Sequence, residues 1–234
     1  MRVWLMSFDI HSMPPKPDIL RRMSGPFYLN TFFLTCSRTR ETLIIDPGDH
    51  TDSVLAFIRE NEMNPIQILL THGHADQFFS MDLFKQTWDI PYGLHQADIR
   101  FFKDSSVQTA TRKAVGLPPP YSKAMELAHG DGIRFGDFVL SVIHTPGHTP
   151  GSVCFFCQDN LFAGDTLFVG EAGRTDLPGG NLEQMIGSIR DRIMTLPLAT
   201  RIHPGHHHPA SSVSTSLARE MKENIYITDF ILDP

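Results

Sequence analysis

Residue types that hold divalent cations recur in this chain at spacings that let them converge. The densest segment is Thr71-His72-Gly73-His74-Ala75-Asp76-Gln77. In an extended stretch, residues two apart project to the same side, so His72, His74 and Asp76 point together. Gly73 is expected to let the backbone bend tightly around whatever they hold. Two imidazoles and a carboxylate suit zinc or iron. Taken alone, the heptapeptide also describes a surface turn with two solvated histidines and Asp76 capping a helix, because short motifs match by accident.

Three further segments add to it. Thr145-Pro146-Gly147-His148-Thr149-Pro150-Gly151-Ser152 reads as a tight turn whose prolines and glycines present His148 rigidly. Ala163-Gly164-Asp165-Thr166 sets a carboxylate straight after an apolar run, and Pro204-Gly205-His206 repeats the proline-glycine-histidine arrangement. A lone histidine in a turn is more often solvated than ligating. The weight lies in the combination and its order.

Other signals carry less chemistry. Cys154 and Cys157 match Cys-x-x-Cys, but strand-like flanks put residues three apart on opposite faces, which argues against a redox pair. Gly179-Gly180 lacks the lysine and hydroxyl residue of a phosphate loop. Arg174 and Asp176 are expected to pair and order the loop after Asp165. His203, His207 and His208 are read as solvated or supporting, and His129 and His144 as structural. The phenylalanines Phe78, Phe79, Phe84, Phe101 and Phe102 are read as core by default.

The elements that must position these groups are read from periodicity and punctuation. Strands are expected over Phe27 to Thr35, Thr42 to Ile45, Ile66 to Leu70, Tyr92 to Leu94, Val153 to Cys157 and Leu161 to Ala163. Ile133 to Ile143 reads as strand, turn at Gly136-Asp137, strand, and Arg201 to His203 as a short extended piece. Helices are expected around Val54 to Ile58, capped by Asp52 or Ser53 and stopped by Pro65. Others run from Ala75 or Asp76 to Trp88, from Leu182 to Leu196 behind an Asn181 cap, and from Ser216 to Lys222. Lys103 to Lys123, with three consecutive prolines, reads as an irregular loop or flap. His72, His148, Asp165 and His206 each fall just past a strand end, where a sheet gathers side chains from distant parts of a chain. Interspersed strands and helices with no linker give one α/β domain over residues 1–234.

Composition bounds the rest. With 234 residues, 41% hydrophobic, the chain can bury a sizeable core. A net charge of −6 gives no footprint for nucleic acid or an anionic membrane. No apolar run is long enough to span a bilayer, and Val3 to Met6 lacks a cleavage site, so no signal peptide is expected. Three cysteines are too few for a disulfide framework, which fits a reducing cytoplasm. The expected partner is a small-molecule substrate.

The order His-x-His-x-Asp, Thr-Pro-Gly-His-Thr-Pro-Gly-Ser, Gly-Asp and Pro-Gly-His resembles the metallo-β-lactamase fold superfamily. Asp46-Pro47-Gly48 and Gly173-Arg174-Thr175-Asp176-Leu177-Pro178-Gly179-Gly180 point to its glyoxalase II-like and persulfide-dioxygenase-like branch. The resemblance runs from about Asn30 to His206 and implies a four-layer αββα sandwich with metal at one edge of the sheets. It implies that His72, His74 and His148 hold a first metal with Asp165 bridging. Asp76, the residue after it, Asp165 and His206 would hold a second. That residue is normally histidine and is Gln77 here. An uncharged amide oxygen is a weak ligand for zinc, so one tightly held Zn2+ is expected, with the second site weak, empty or taken by a harder cation. Fe2+ and Mn2+ accept the same ligand types. The segment after His206 is too short for the helical region that holds glutathione in glyoxalase II, so no substrate-binding residue carries over.

The expected chemistry is hydrolysis of a thioester or similar small acyl substrate. Zinc lowers the pKa of bound water from 15.7 to about 7 and stabilises a developing oxyanion. Asp76, free of a second metal, would orient that water and take its proton. Two rivals stand beside it: a mononuclear iron persulfide dioxygenase, with His72, His148 and Asp165 as a facial triad, and a degenerate, non-catalytic metal binder motivated by Gln77.

Overall fold

The computed structural model describes residues 15–25, 27–48, 53–78, 80–104, 106–107, 109, 124–207 and 211–233. The Val3 to Met6 segment, the Asp52 cap, Phe79, His208 and most of the Lys103 to Lys123 stretch lie outside them.

Two six-stranded sheets face each other. The first holds β1 (Asp18–Ser24), β2 (Leu29–Thr35), β3 (Glu41–Ile45), β4 (Asn64–Leu69), β5 (Tyr92–His95) and β6 (Met125–Leu127), in sequence order. The second holds β7 (Gly132–Phe135), β8 (Phe138–His144), β9 (Val153–Cys157), β10 (Asn160–Gly164), β11 (Arg201–Pro204) and β12 (Thr215–Ser216). Hairpins make the antiparallel pairs, while crossovers make β3 to β6 parallel and set β10 parallel to β11. On the first sheet lie α1 (Ser53–Glu60), α2 (Met81–Trp88) and α3 (Gln96–Phe101). On the second lie α4 (Leu182–Ser188), α5 (Leu217–Glu223) and the short α6 (Ile225–Ile227).

Strand alternation builds the four layers. In β2, Phe32 and Leu34 face the second sheet and Phe33 faces the helices. In β3, Leu43 and Ile45 face inward and Ile44 outward. With apolar layers on both sides, β2 is buried along its whole length, as a strand covered on two faces must be. The second sheet mirrors this. Val153, Phe155, Cys157 and Phe162 enter the central layer, while Cys154, Leu161 and Ala163 pack under α4 to α6. Cys154 and Cys157 thus sit in different layers, as their spacing in a strand requires.

Two expected helices differ in form. The stretch from Ala75 begins as a 3-10 turn (Ala75–Phe78), and α2 starts only at Met81. The Ser80 amide donates to the Pro47 carbonyl at 2.9 Å, so a long-range bond displaces the helical one. The Leu182 helix keeps its Asn181 cap, which accepts from the Gln184 amide, but widens into a π turn over Ile189–Ile193. Unexpected from sequence are β1, β6, β12, α3 and α6.

The sheets meet at one edge. The Asn30 amide donates to the Gly205 carbonyl at 2.7 Å, its side chain donates to the Pro204 carbonyl at 3.0 Å, and Leu29 bridges His206. At the same edge the Val153 amide donates to the Thr71 carbonyl at 2.8 Å. The turns after β4, β8, β10 and β11 all open there.

Candidate metal centre

The turn after β4 carries His72 and His74, and the turn between β8 and β9 carries His148. All three are almost fully buried, and one ligand atom from each lies within 4.8 Å of the others. His74 Nδ1 and His148 Nε2 stand 3.0 Å apart. The rings are mutually near perpendicular, with centroids 4.7 to 4.8 Å apart, so their edges converge on one point.

Each imidazole is aimed by a specific neighbour. His148 Nδ1 donates to the Arg174 carbonyl at 2.7 Å, which leaves the Nε2 lone pair facing the cluster. His72 Nδ1 lies 3.1 Å from Thr71 Oγ1, and that hydroxyl donates to Asp46 Oδ2 at 2.8 Å. The second Asp46 oxygen accepts from the Thr71 amide at 2.8 Å. Asp46 itself sits at φ 50°, a left-handed conformation that aspartate tolerates better than most side chains. Burial pushes its carboxyl up to about 8, against the two Thr71 bonds that favour the carboxylate. Sequence placed Asp46 only within a motif; its link through Thr71 to His72 emerges from the fold.

The donor set fits a cation. Burial, then the neighbouring rings, holds His72 well below its ordinary range, and burial with His148 brings His74 down to about 3. Both rings are neutral near pH 7, the form that ligates. His72 Nε2 is buried without a hydrogen-bond partner, and so is Asp165 Oδ1. Buried polar atoms are rarely left unpaired, and a divalent ion would satisfy both.

Asp165 comes directly after β10 and occupies the shared position. Its Oδ2 stands 3.5 Å from His148 Nε2 and 3.5 Å from His206 Nε2. His206, after β11, also lies 3.4 Å from Asp76 Oδ2, and its Nδ1 donates to the Phe27 carbonyl at 2.9 Å. Burial opposes a charged His206 ring, but Asp165 and Asp76 overcome it and push its pKa up to about 10. Burial likewise raises Asp76, but the hydrogen bond and charge of His206 hold it below the ordinary carboxylate range. Gln77 is fully buried, with Nε2 3.2 Å from His206 Nε2 and Oε1 unpaired. A charged His206 requires the amide oxygen against its Nε2–H, and rotating the carboxamide gives Oε1 that partner. All seven residues singled out by sequence therefore lie around one edge of the sheets: His72, His74 and His148 as one group, Asp76, Gln77 and His206 as another, and Asp165 between them.

Gly73 has a different reason from the one expected. It is not among the positive-φ glycines; a Cβ there would stand 2.5 Å from the Phe102 ring. The glycine admits an aromatic side chain behind the metal turn. Arg174 and Asp176 do pair, at 2.7 and 2.8 Å, on the exposed surface. His203 is not solvated: it stacks on Phe162, with centroids 5.0 Å apart, and its Nε2 lies 2.9 Å from Asn160 Oδ1. His95, not noted from sequence, stacks on His144 at 4.0 Å and caps α3 by accepting from the Ala97 amide. Asp98 in α3 was also missed; it accepts hydrogen bonds from both histidine turns.

A two-sheet αββα sandwich with buried histidines at its edge defines a class, and the chain belongs to the metallo-β-lactamase superfamily, whose profile matches residues 24–206. It is 36% identical over 216 residues to the probable metallo-hydrolase YqgX of Bacillus subtilis, covering 91% of this chain and 99% of that protein. It is 31% identical to the hydroxyacylglutathione hydrolase GloC of Haemophilus influenzae, covering 80% of this chain and 88% of that one. Among solved structures, the BLEG-1 B3 metallo-beta-lactamase superposes with a TM-score of 0.79 at 31% identity, over 90% of this chain and 100% of that one. TTHA1623 in a di-iron-bound form superposes at 0.73 with 31% identity, over 88% and 98%.

Proposed function

We infer that the protein is a metal-dependent hydrolase acting on a thioester or a similar small acyl substrate. The observation that carries this is the convergence of three buried imidazoles with one carboxylate, a set that leaves a cation an open place. Similarity to proteins named metallo-hydrolase and hydroxyacylglutathione hydrolase supports it.

His72, His74 and His148 would hold one ion, Zn2+ in this reading, with Asp165 beside it. When bound, such an ion lowers the pKa of a water at its open place and polarises a carbonyl. The chain supplies the rest. Asp76, ionised at neutral pH, orients the attacking water and accepts its proton on a carboxylate oxygen. Charged His206, held between Asp76 and Asp165, brings the positive charge that a second cation would otherwise bring to that side. Gln77 keeps His206 in that role by occupying Nε2. The acidic balance and three buried free thiols support a small-molecule substrate, no nucleic acid or membrane partner, and a cytoplasmic setting for a single domain over residues 1–234. No helix among the described residues is long and apolar enough to cross a membrane.

The test is hydrolysis of a thioester by the purified protein, lost with a chelator and restored by zinc. Protein without bound metal, or a His72→Ala variant that hydrolyses thioesters at the wild-type rate, would refute the reading. A second reading is iron-dependent oxygen chemistry on a thiol persulfide, with His72, His148 and Asp165 as ligands. A solved relative at 31% identity in a di-iron-bound form supports iron as the metal of such a site. One iron per chain, with oxygen uptake on a persulfide and no thioester turnover, would select it.

A further inference from the structure

The two histidine turns come from different sheets and sit far apart in sequence, yet three imidazole nitrogens must meet to within tenths of an ångström. The geometry points to Asp98 as the positioning residue that sets this register. Asp98 lies in α3, on the outer face of the first sheet, and is fully buried. Its Oδ2 accepts from the Gly73 amide at 2.8 Å, between His72 and His74. The same oxygen accepts from Thr149 Oγ1 at 2.8 Å, directly after His148. Its Oδ1 accepts from the Gly151 amide at 2.5 Å, in the same turn. Ser152 completes the arrangement: its Oγ lies 2.8 Å from Thr149 Oγ1 and accepts from the Thr149 amide at 3.0 Å.

Asp98 thus holds the amide between His72 and His74, and both a hydroxyl and an amide of the turn that carries His148. A carboxylate is suited to this because both oxygens accept and neither donates. Its oxygens span both turns, Oδ2 taking one donor from each and Oδ1 a second from the turn of His148, so the carboxylate fixes their separation. Prolines and glycines make the second turn stiff within itself but say nothing about its distance from the first. Buried amides need acceptors in any fold. What distinguishes a register role is that one side chain serves both turns.

This inference rests on the metal reading of the site. The test is Asp98→Asn, which keeps volume and shape. A carboxamide has one accepting oxygen, and its NH2 must face either the Gly73 or the Gly151 amide, both of which donate and cannot reverse. One turn is released whichever way the amide rotates. Competition titration of zinc against a chromophoric chelator should show affinity lower by roughly 10–100-fold, the usual result of removing a group that orients ligands. The visible spectrum of the cobalt-substituted protein should shift, because ligand directions change. Thr149→Ser, which keeps the hydroxyl, should show neither change and match wild type. Asp98→Asn with wild-type affinity and an unaltered cobalt spectrum overturns the inference, even when its unfolding midpoint falls. Wild-type protein that takes up no metal removes the metal reading and this inference together; tight binding by both proteins removes this inference alone. Where Asp98→Asn does not fold, Thr149→Val severs one of the three bonds. The same titration should then show a several-fold loss, and unchanged affinity overturns the inference.

Discussion

Replacing Thr71 by valine tests how far the first metal group depends on what stands behind it. The substitution keeps a branched side chain against Gly164, where space is tight, and removes only the hydroxyl. That hydroxyl joins two buried groups, donating to Asp46 Oδ2 at 2.8 Å and accepting from His72 Nδ1 at 3.1 Å. Without it, the His72 N–H is a buried donor with no acceptor, and leaving such a donor unpaired costs about 1–3 kcal/mol. Asp46 keeps its bond from the Thr71 amide but loses the one to its other oxygen. Metal-free protein should lose stability in that range. The His72 ring is then free to turn or to move its proton to Nε2, the atom that faces the cluster. Zinc affinity should fall by about 10–100-fold. Chelator competition measures the affinity, and denaturant unfolding of metal-free protein measures the stability. Thr71→Ser is the control and should lie within about threefold of wild type, since the hydroxyl remains. A valine variant that binds zinc within about twofold of wild type would refute the reasoning, because His72 would then be held by packing alone.

Gln77→His should raise bound zinc from one to two equivalents per chain by elemental analysis, since the side chain at this position reaches His206, which Asp76 and Asp165 flank; an unchanged single equivalent would show that the glutamine is not what limits the second site. Gly147→Ala should lower stability by about 3 kcal/mol or more in chemical unfolding, because φ is 148° and a Cβ would stand 2.5 Å from Met185 Cα, a backbone atom that cannot step aside. Acid should weaken the fold through His95, whose pKa burial and then His144 lower to about 4. The unfolded chain takes up that proton near pH 6.5, so stability is complete above about 6.5 and declines as pH falls toward 4, by about 2 kcal/mol once partial solvent screening is allowed for. His95→Asn keeps a capping side chain and should flatten that part of the stability-versus-pH curve; an unchanged slope would place the acid sensitivity elsewhere.

The candidate metal-site residues were legible because the chain spells them with turn chemistry. His148 and His206 come after proline-glycine, His72 and His74 flank a glycine, and each segment trails a strand. The strands that pack on two faces were legible for the same reason: runs such as Val153 to Cys157 have only one way to be buried. β1 was not, because Asp18–Ser24 carries two arginines along a half-exposed edge and shows no clean alternation. α3 was not, because its cap is a histidine and its six residues complete under two turns. Asp98 was invisible for a deeper reason. Nothing in its neighbours marks it; its role exists only once two turns, 25 and 53 residues away, are brought to its two oxygens. The break at Ser80 has the same origin, a carbonyl at Pro47 that helical periodicity does not record.

The hydrogen bonds from Asn30 to Pro204 and Gly205 tie the start of β2 to the end of β11, across the seam between the sheets. His206 is the next residue along, so a sliding of one half of the sandwich past the other is transmitted first to that ring. Its distance from Asp165 then reports on the alignment of the two halves, and amide exchange at Asn30 and His207 becomes a gauge of how often the seam opens. Mutations in either outer helical layer can in this way alter the chemistry at the rim without coming near it.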